Sequence, residues 1–362
     1  MAAVRGFRLL ELPIILGAIA GIAYMLYVLA IYLGPLLLYP SYAEYSPAEL
    51  VLNRFDLPGG RWPRDLALSP TGKQMVAAGP EKIYWIANWD DKNQTRIETQ
   101  RLDVGNKVYA AGYSGDGSRV AFIIEDREKP SWTCRIEVYD PRTQQLLSKG
   151  PAPDRWIFDL LMSHDGKALL TDSEGGVNLW DISTSQLLRT LKAPEGPGWI
   201  NLTSDDHLIK ICRDEDFKQL TAHKSEKHFG DTKLVGSIQA PAGNEFNAPV
   251  LLSPNGDFLA ARVHPTLEIH VYRISDGQLM AKFERPYQAV CYAFSSSGTY
   301  LAISYSDETV ALWRIDSGEK LGTLHGLPFY PIRFLAFGPD QKTLITRDAN
   351  ATVVWDISRY VD

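Results

Sequence analysis

The hydrophobic positions of the chain follow two patterns, one continuous and one broken into short runs. The continuous pattern comes first in the chain, where Leu12 to Ala43 contains no charged residue. Within it, Ile14 to Tyr32 corresponds to about 29 Å of helix, close to the roughly 30 Å hydrocarbon core of a bilayer. Pro35 ends that helix, since proline lacks an N–H and clashes with the preceding turn. The pattern predicts a transmembrane helix within residues 1–39 and a linker at 40–48.

A cleaved signal peptide is the alternative interpretation of this segment. Ser41-Tyr42-Ala43 places small residues where signal peptidase cuts. The apolar run is much longer than the usual stretch of about 7 to 15 residues in a signal peptide, which favours the helix. Arg5 and Arg8 precede it and only Arg54 follows closely. The positive-inside rule therefore predicts a cytoplasmic N-terminus and an extracytoplasmic remainder, periplasmic or luminal.

Two glycines on this helix predict contact with a second helix. Gly17 and Gly21 form a GxxxG pattern. Small residues four positions apart lie on one face and allow another helix to approach closely. The membrane segment is thus expected to pack against a transmembrane partner subunit.

After residue 49, short apolar runs alternate with polar turns, and one phrase returns seven times. It consists of an apolar residue, Ser or a similar residue, and a turn rich in Pro, Asp, Asn and Gly. The phrases start at Leu68, Tyr113, Met162, Leu202, Leu252, Phe294 and Phe337. Their spacing is about 45 residues, the period of a propeller blade. Each predicts a hairpin turn, since Gly, Asn and Asp tolerate positive φ.

The rest of each unit predicts two more strands. The third strand ends in an aromatic residue, as in Trp180-Asp181 and Trp355-Asp356, and Gln186 to Leu191 is an example of the fourth. These third strands resemble those of the WD40 repeat family, and the resemblance covers residues 49–362. It implies an all-β, seven-bladed β-propeller of four-stranded antiparallel blades. The Gly-His dipeptide that opens the family's blades is absent, and the Ser-Pro-x-Gly phrases are similar to those of TolB-like propellers.

The last repeat lacks a fourth strand, and the start of the domain supplies a candidate. Residues 49–57 resemble the other fourth strands, so we expect them to complete the seventh blade and remove two open sheet edges. Two faces follow from this closure. The lower face carries the turns between first and second and between third and fourth strands, and the upper face carries the remaining loops. The membrane anchor is predicted to join the lower face.

Aromatic residues near the start of every blade are candidate contacts on the upper face. Aromatic side chains provide large contact area at binding hot spots, although packing between blades is the competing interpretation. The candidates are Trp62, Tyr109, Trp156, Trp199, Phe246, Tyr287 and Tyr330.

Acidic residues are predicted in the loops between second and third strands of the same face. We expect them to suit a protein or peptide partner with basic and apolar residues, against the simpler interpretation of a solvated rim. The candidates are Asp126, Asp172, Glu174, Asp214, Asp216, Asp307 and Asp348, together with Trp132 in a long inserted loop.

Composition narrows the function further. The chain has 37 Lys and Arg against 43 Asp and Glu, a net charge of −6, so a strongly basic nucleic-acid-binding protein is not expected. Its three cysteines are far apart and predict isolated packing residues. No phosphate-binding, dinucleotide or calcium motif occurs. We therefore expect no cofactor, no metal site and no enzymatic activity.

These patterns predict a membrane-anchored propeller that serves as a protein-interaction scaffold or accessory subunit. Partners would bind on the face away from the membrane. Two alternatives stay open, because fold alone does not decide function. One is an enzymatic or ligand-binding propeller with a site in its central channel, and the other is an envelope-assembly factor of the TolB-like kind.

Overall fold

A computed structural model describes most of the chain after residue 50. The described residues are 51–55, 65–72, 74–78, 82–87, 99–126, 133–152, 157–173, 176–191, 198–203, 205–227, 229–284, 287–325, 332–348 and 351–362. Among them there is no helix long and apolar enough to cross a membrane. The predicted transmembrane helix, with Gly17 and Gly21, lies outside the described residues.

The described residues form seven four-stranded antiparallel sheets, which confirms the predicted blades. Each of blades 1 to 6 uses four consecutive strands, with the first strand innermost and the fourth outermost. Blade 1 contains β2 (Asp65–Leu68), β3 (Gln74–Ala78), β4 (Lys82–Ala87) and β5 (Thr99–Asp103). Blade 2 contains β6 (Val108–Tyr113), β7 (Val120–Asp126), β8 (Thr133–Tyr139) and β9 (Leu146–Ala152). Blade 3 contains β10 (Ile157–Met162), β11 (Ala168–Ser173), β12 (Gly176–Asp181) and β13 (Gln186–Leu191).

The following three blades repeat this order. Blade 4 contains β14 (Gly198–Leu202), β15 (Leu208–Arg213), β16 (Gln219–Ser225) and β17 (Thr232–Gln239). Blade 5 contains β18 (Glu245–Leu252), β19 (Phe258–His264), β20 (Glu268–Arg273) and β21 (Leu279–Phe283). Blade 6 contains β22 (Ala289–Phe294), β23 (Tyr300–Tyr305), β24 (Thr309–Arg314) and β25 (Lys320–His325).

Blade 7 joins the two ends of the domain. It contains β26 (Phe334–Phe337), β27 (Thr343–Arg347) and β28 (Thr352–Asp356), and its outermost strand is β1 (Val51–Phe55) from the start of the domain. β1 pairs antiparallel with β28, with Val51 opposite Trp355 and Phe55 opposite Thr352. The strand therefore runs from the lower face toward the upper face, as the other fourth strands do.

The ring is held together by hydrophobic contacts between consecutive blades. Each neighbouring pair shares one cluster of buried side chains, including the pair formed by blades 7 and 1. In the last of these, Leu66 and Met75 of blade 1 pack with Ile345 and Val354 of blade 7. The second and third strands are buried on both faces, because each blade lies between two others.

The repeated serine has a structural role in the turn of each phrase. In Ser114, Ser163 and Ser253, the Oγ atom accepts a hydrogen bond from the backbone N–H five residues later, at 2.9–3.0 Å. A glycine follows in the left-handed conformation, as at Gly166 with φ of 66°. Asp206 takes that conformation in the weaker fourth phrase. The phrase thus marks a closed hairpin turn on the lower face.

Candidate functional site

Some of the predicted upper-face aromatic residues are packed inside the propeller, and others are exposed to solvent. Tyr109 is half-buried, and its hydroxyl donates to Glu125 at 3.2 Å. Trp199 is half-buried and packs against the cluster between blades 4 and 5. Phe246 is 2% exposed and lies edge-to-face with Tyr272, so the structure corrects its interpretation as a contact for partners. Tyr287 is 40% exposed. Trp62, Trp156 and Tyr330 lie outside the described residues.

The predicted acidic residues also separate into two groups. Asp348 is buried and accepts the backbone N–H of Ala351 at 2.7 Å, while Asp307 accepts the hydroxyl of Thr309 at 2.7 Å. These two carboxylates hold the turns between second and third strands. Asp214 also closes its turn by accepting the N–H of Lys218 at 2.7 Å, but it is exposed.

Asp216 is strongly exposed to solvent. Its side chain is 73% exposed and lies 3.6 Å from the Lys218 ammonium. For Asp126 only the backbone, at the end of β7, is described. Trp132 and Glu174 lie outside the described residues.

Asp172 is not a surface acid, and this prediction is corrected. Its carboxylate is 2% exposed and lies 3.4 Å from the Nζ atom of Lys210, which is 1% exposed. The pair joins β11 of blade 3 to β15 of blade 4. Burial raises the pKa of Asp172 above its ordinary value, although the Lys210 charge acts in the opposite direction. Burial is therefore the main cause of the shift in the pKa of this carboxyl group.

Lys210 occupies a repeat position that is otherwise uncharged. In blades 3 and 7 the corresponding residues are Thr171 and Thr346. Each accepts a hydrogen bond from the indole N–H of the repeat tryptophan, Trp180 at 3.0 Å and Trp355 at 2.8 Å. In blade 4 the position of the tryptophan is taken by Ser225, which follows Lys224 opposite Ile209. Blade 4 thus replaces the Trp–Thr hydrogen bond with an ion pair to the preceding blade.

The Lys210 charge acts on two neighbouring groups of blade 4. Burial raises the pKa of Cys212, although the Lys210 charge acts in the opposite direction. The pKa of His223 is lowered by burial and by the Lys210 charge. Burial likewise raises the pKa of Cys291 in blade 6 to about 11. All three cysteines are free, and Cys134 and Cys212 are buried.

An open groove on the upper face lies between blades 4 and 5. Its volume is about 710 Å³, and the loop 240–244 forms one wall. Lys218, Gln239, Glu245 and His264 line it, and the Glu245 carboxylate lies 3.4 Å from the His264 Nδ1 atom. The groove therefore offers basic and acidic side chains that can form hydrogen bonds, close to the exposed Asp216. The repeat pattern did not identify this groove, because its loop lies between two blades and belongs to no phrase.

Among the described residues, no three His, Cys, Asp or Glu side chains come close enough together to hold a metal ion. The candidate site is therefore a surface that consists of the groove, Tyr287 and the acidic turn at Asp214 and Asp216.

Comparison with known proteins gives relatives that contain WD repeats. The chain is 33% identical over 73 residues to WD repeat, SAM and U-box domain-containing protein 1 of Danio rerio, covering 20% of this chain and 15% of the relative. It is 21% identical over 249 residues to actin-interacting protein 1 of Caenorhabditis elegans, covering 57% and 40%. It is 26% identical over 166 residues to NACHT and WD repeat domain-containing protein 2 of Mus musculus, covering 44% and 9%. No family model matches the chain.

These similarities agree with the seven closed blades and with the Trp–Thr hydrogen bonds of blades 3 and 7. The chain is a WD-repeat β-propeller. Its relatives and its fold support a role as a protein-interaction scaffold. The WD-repeat chain spans less than half the length of each relative named above.

Proposed function

We propose that this WD-repeat propeller is a membrane-anchored interaction scaffold whose upper face binds a protein partner. The observation that carries the proposal is the pairing of β1 with β28. Because β1 starts at the lower face, we infer that the uncharged segment Leu12 to Ala43, which comes before β1 in the sequence, anchors the chain from that side. A helix inserted in a bilayer there would leave the upper face directed toward solvent.

The proposal includes an orientation and a class of partner. Arg5 and Arg8 before the apolar segment favour a cytoplasmic N-terminus and an extracytoplasmic propeller. On the upper face, Asp214 and Asp216 are exposed beside a groove with polar walls, and Tyr287 is exposed at the start of blade 6. Acidic and aromatic groups together favour a segment that carries Lys or Arg with apolar side chains. The proposal requires no bond-making chemistry.

Charge reversal on the upper face tests this function. In the full-length tagged chain purified from membranes of its native host, Glu215→Lys with Asp216→Lys should reduce capture of a stoichiometric partner at least tenfold. The two side chains are exposed and hold no turn, so the fold should be retained. Capture is measured by quantitative mass spectrometry at low and high salt.

A single charge reversal on the opposite face is the matched control. Glu319→Lys changes an exposed acid in the lower turn between β24 and β25 and should leave capture unchanged. Equal capture by the wild type and the double variant would contradict the assignment of the upper face. So would a loss of capture caused by Glu319→Lys alone.

A further inference from the structure

A β-bulge interrupts the outermost strands of blades 2 and 3 at the same level, and that of blade 4 two residues further from the lower face. In β9, Leu147 is the extra residue between the pairs Val138–Ser148 and Tyr139–Leu146. Leu188 in β13 and Val235 in β17 are extra in the same way. In a regular strand two consecutive side chains point to opposite faces. A bulge interrupts this alternation, so that both can point to the same side. Each of these three blades thus presents two consecutive apolar side chains in the lower half of its outer edge.

These side chains are exposed to an unusual degree for aliphatic residues. The pairs are Leu146 and Leu147 at 48% and 45%, Leu187 and Leu188 at 44% and 57%, and Leu234 and Val235 at 61% and 37%. We call these six residues the lower-rim band. The described blades 5 and 6 have the same bulge, but there the extra residues, Met280 and Leu321, pack against the cores beside them.

The three blades are joined to each other at the level of the band. The Ser148 hydroxyl of β9 contacts the Ser185 hydroxyl, which lies two residues before Leu187. The Arg189 guanidinium of β13 donates to the carbonyl of Phe229, which lies in the turn before β17. Polar contacts therefore link the neighbouring blades 2, 3 and 4 beside the residues of the band.

The charge beside the band differs from that of the whole chain. β9, β13 and β17 each contain one cation, Lys149, Arg189 or Lys233, and no acid, although the chain carries −6. Lys149 and Lys233 also contact Glu137 at 3.4 Å and Glu226 at 2.6 Å, so the band is nearly neutral. Leucines flanked by Lys and Arg are typical of surfaces that lie in the headgroup region of a bilayer.

We propose that the lower-rim band inserts into the bilayer and forms a second membrane contact of the propeller. This inference rests on the membrane anchor of the proposed function. The segment before Val51 joins β1 at the lower end of an outermost strand, which is also the level of the band. The band is wholly aliphatic, whereas protein-binding hot spots are enriched in Trp, Tyr and Arg and poor in Leu and Val. A lipid surface therefore matches the composition of the band better than a protein partner does.

Lipid quenching of a fluorophore on the rim tests this contact. The full-length chain with Leu188→Cys is labelled with an environment-sensitive dye and reconstituted in vesicles of phosphatidylcholine and phosphatidylglycerol. Lipids with a spin label near the headgroup should quench the dye at least twofold more than they quench a dye placed through Leu267→Cys. Leu267 is 41% exposed and lies in the upper turn between β19 and β20 of blade 5. Labelling through Leu147→Cys should repeat the result for Leu188.

The outcomes separate this inference from the anchor on which it rests. If the chain floats with the vesicles but the dyes at Leu188 and Leu267 are quenched equally, the rim contact is refuted while the anchor stands. If the dye at Leu188 is shielded from water but not quenched by lipid, a protein covers the band and the proposal is overturned. If the chain does not float with the vesicles, the anchor and the rim contact both fail.

Discussion

Removing residues 1–57 should abolish cooperative unfolding of the propeller, whereas removing residues 1–45 should leave it intact. The longer deletion takes away β1, the partner of β28. Thr352 and Val354, both 0% exposed, and Trp355 would then lie on an open strand. Losing this burial and the β1–β28 hydrogen bonds should cost on the order of 5 kcal/mol, comparable to the stability of a whole domain.

The measurement compares the two truncated chains with the full-length chain by thermal unfolding monitored through tryptophan fluorescence, and by gel filtration. The shorter deletion is the matched control, since it removes the apolar segment and keeps β1. We expect a single sharp transition for it and aggregation for the longer deletion, because an unpaired edge strand recruits other chains. Two identical transitions would show that β1 is dispensable and that the ring does not depend on it.

Replacing Asp172 with Ala should destabilise the protein by about 3–5 kcal/mol, the usual cost of leaving one member of a buried ion pair without its partner. Lys210 is 1% exposed, and its side chain would be left without the carboxylate inside the seam between blades 3 and 4. Asp172→Ala combined with Lys210→Met removes both buried charges, so stability should recover to within about 1–2 kcal/mol of wild type.

Chemical denaturation of the single and double variants measures these differences. An exposed ion pair provides the control: Lys282 and Glu284 lie closer together, at 2.6 Å, but their side chains are 55% and 57% exposed. Glu284→Ala should cost much less than Asp172→Ala despite the shorter distance, since solvent screens the pair. A loss for Asp172→Ala no larger than for Glu284→Ala would contradict the assignment of a buried pair, as would a double variant less stable than Asp172→Ala.

The blades were predictable because their determinants are local. In five of the seven phrases a Ser and a Gly close a hairpin within six residues, and Trp180-Asp181 and Trp355-Asp356 mark the ends of third strands. The absence of a fourth strand after Trp355 was enough to assign residues 49–57 to the last blade. The paired residues Val51 to Phe55 fall inside that range.

The site was less predictable, because burial depends on the neighbouring blade. Asp172 and Phe246 stand at loop-proximal positions that the repeat pattern assigns to the surface. Asp172 is nevertheless covered by Lys210 of blade 4, and Phe246 lies in the buried cluster that blades 4 and 5 share. The lower-rim band depends on a shift of register. Strict alternation would direct only one residue of Leu187-Leu188 outward, whereas the bulge exposes both.

Closure of the ring by β1 is the claim on which the assignment of both faces depends, and an engineered disulfide tests it most directly. Arg54 lies opposite Val353 in the register of β1 and β28. In the full-length chain with Cys134, Cys212 and Cys291 replaced by Ala, Arg54→Cys with Val353→Cys should form an intramolecular disulfide, detected by mass spectrometry after proteolysis. The control is Arg54→Cys with Ala311→Cys, which places the second cysteine at the equivalent position of blade 6. The account predicts the bond in the first pair and none in the second; absence of the bond in the first pair, or equal formation in both, would contradict it.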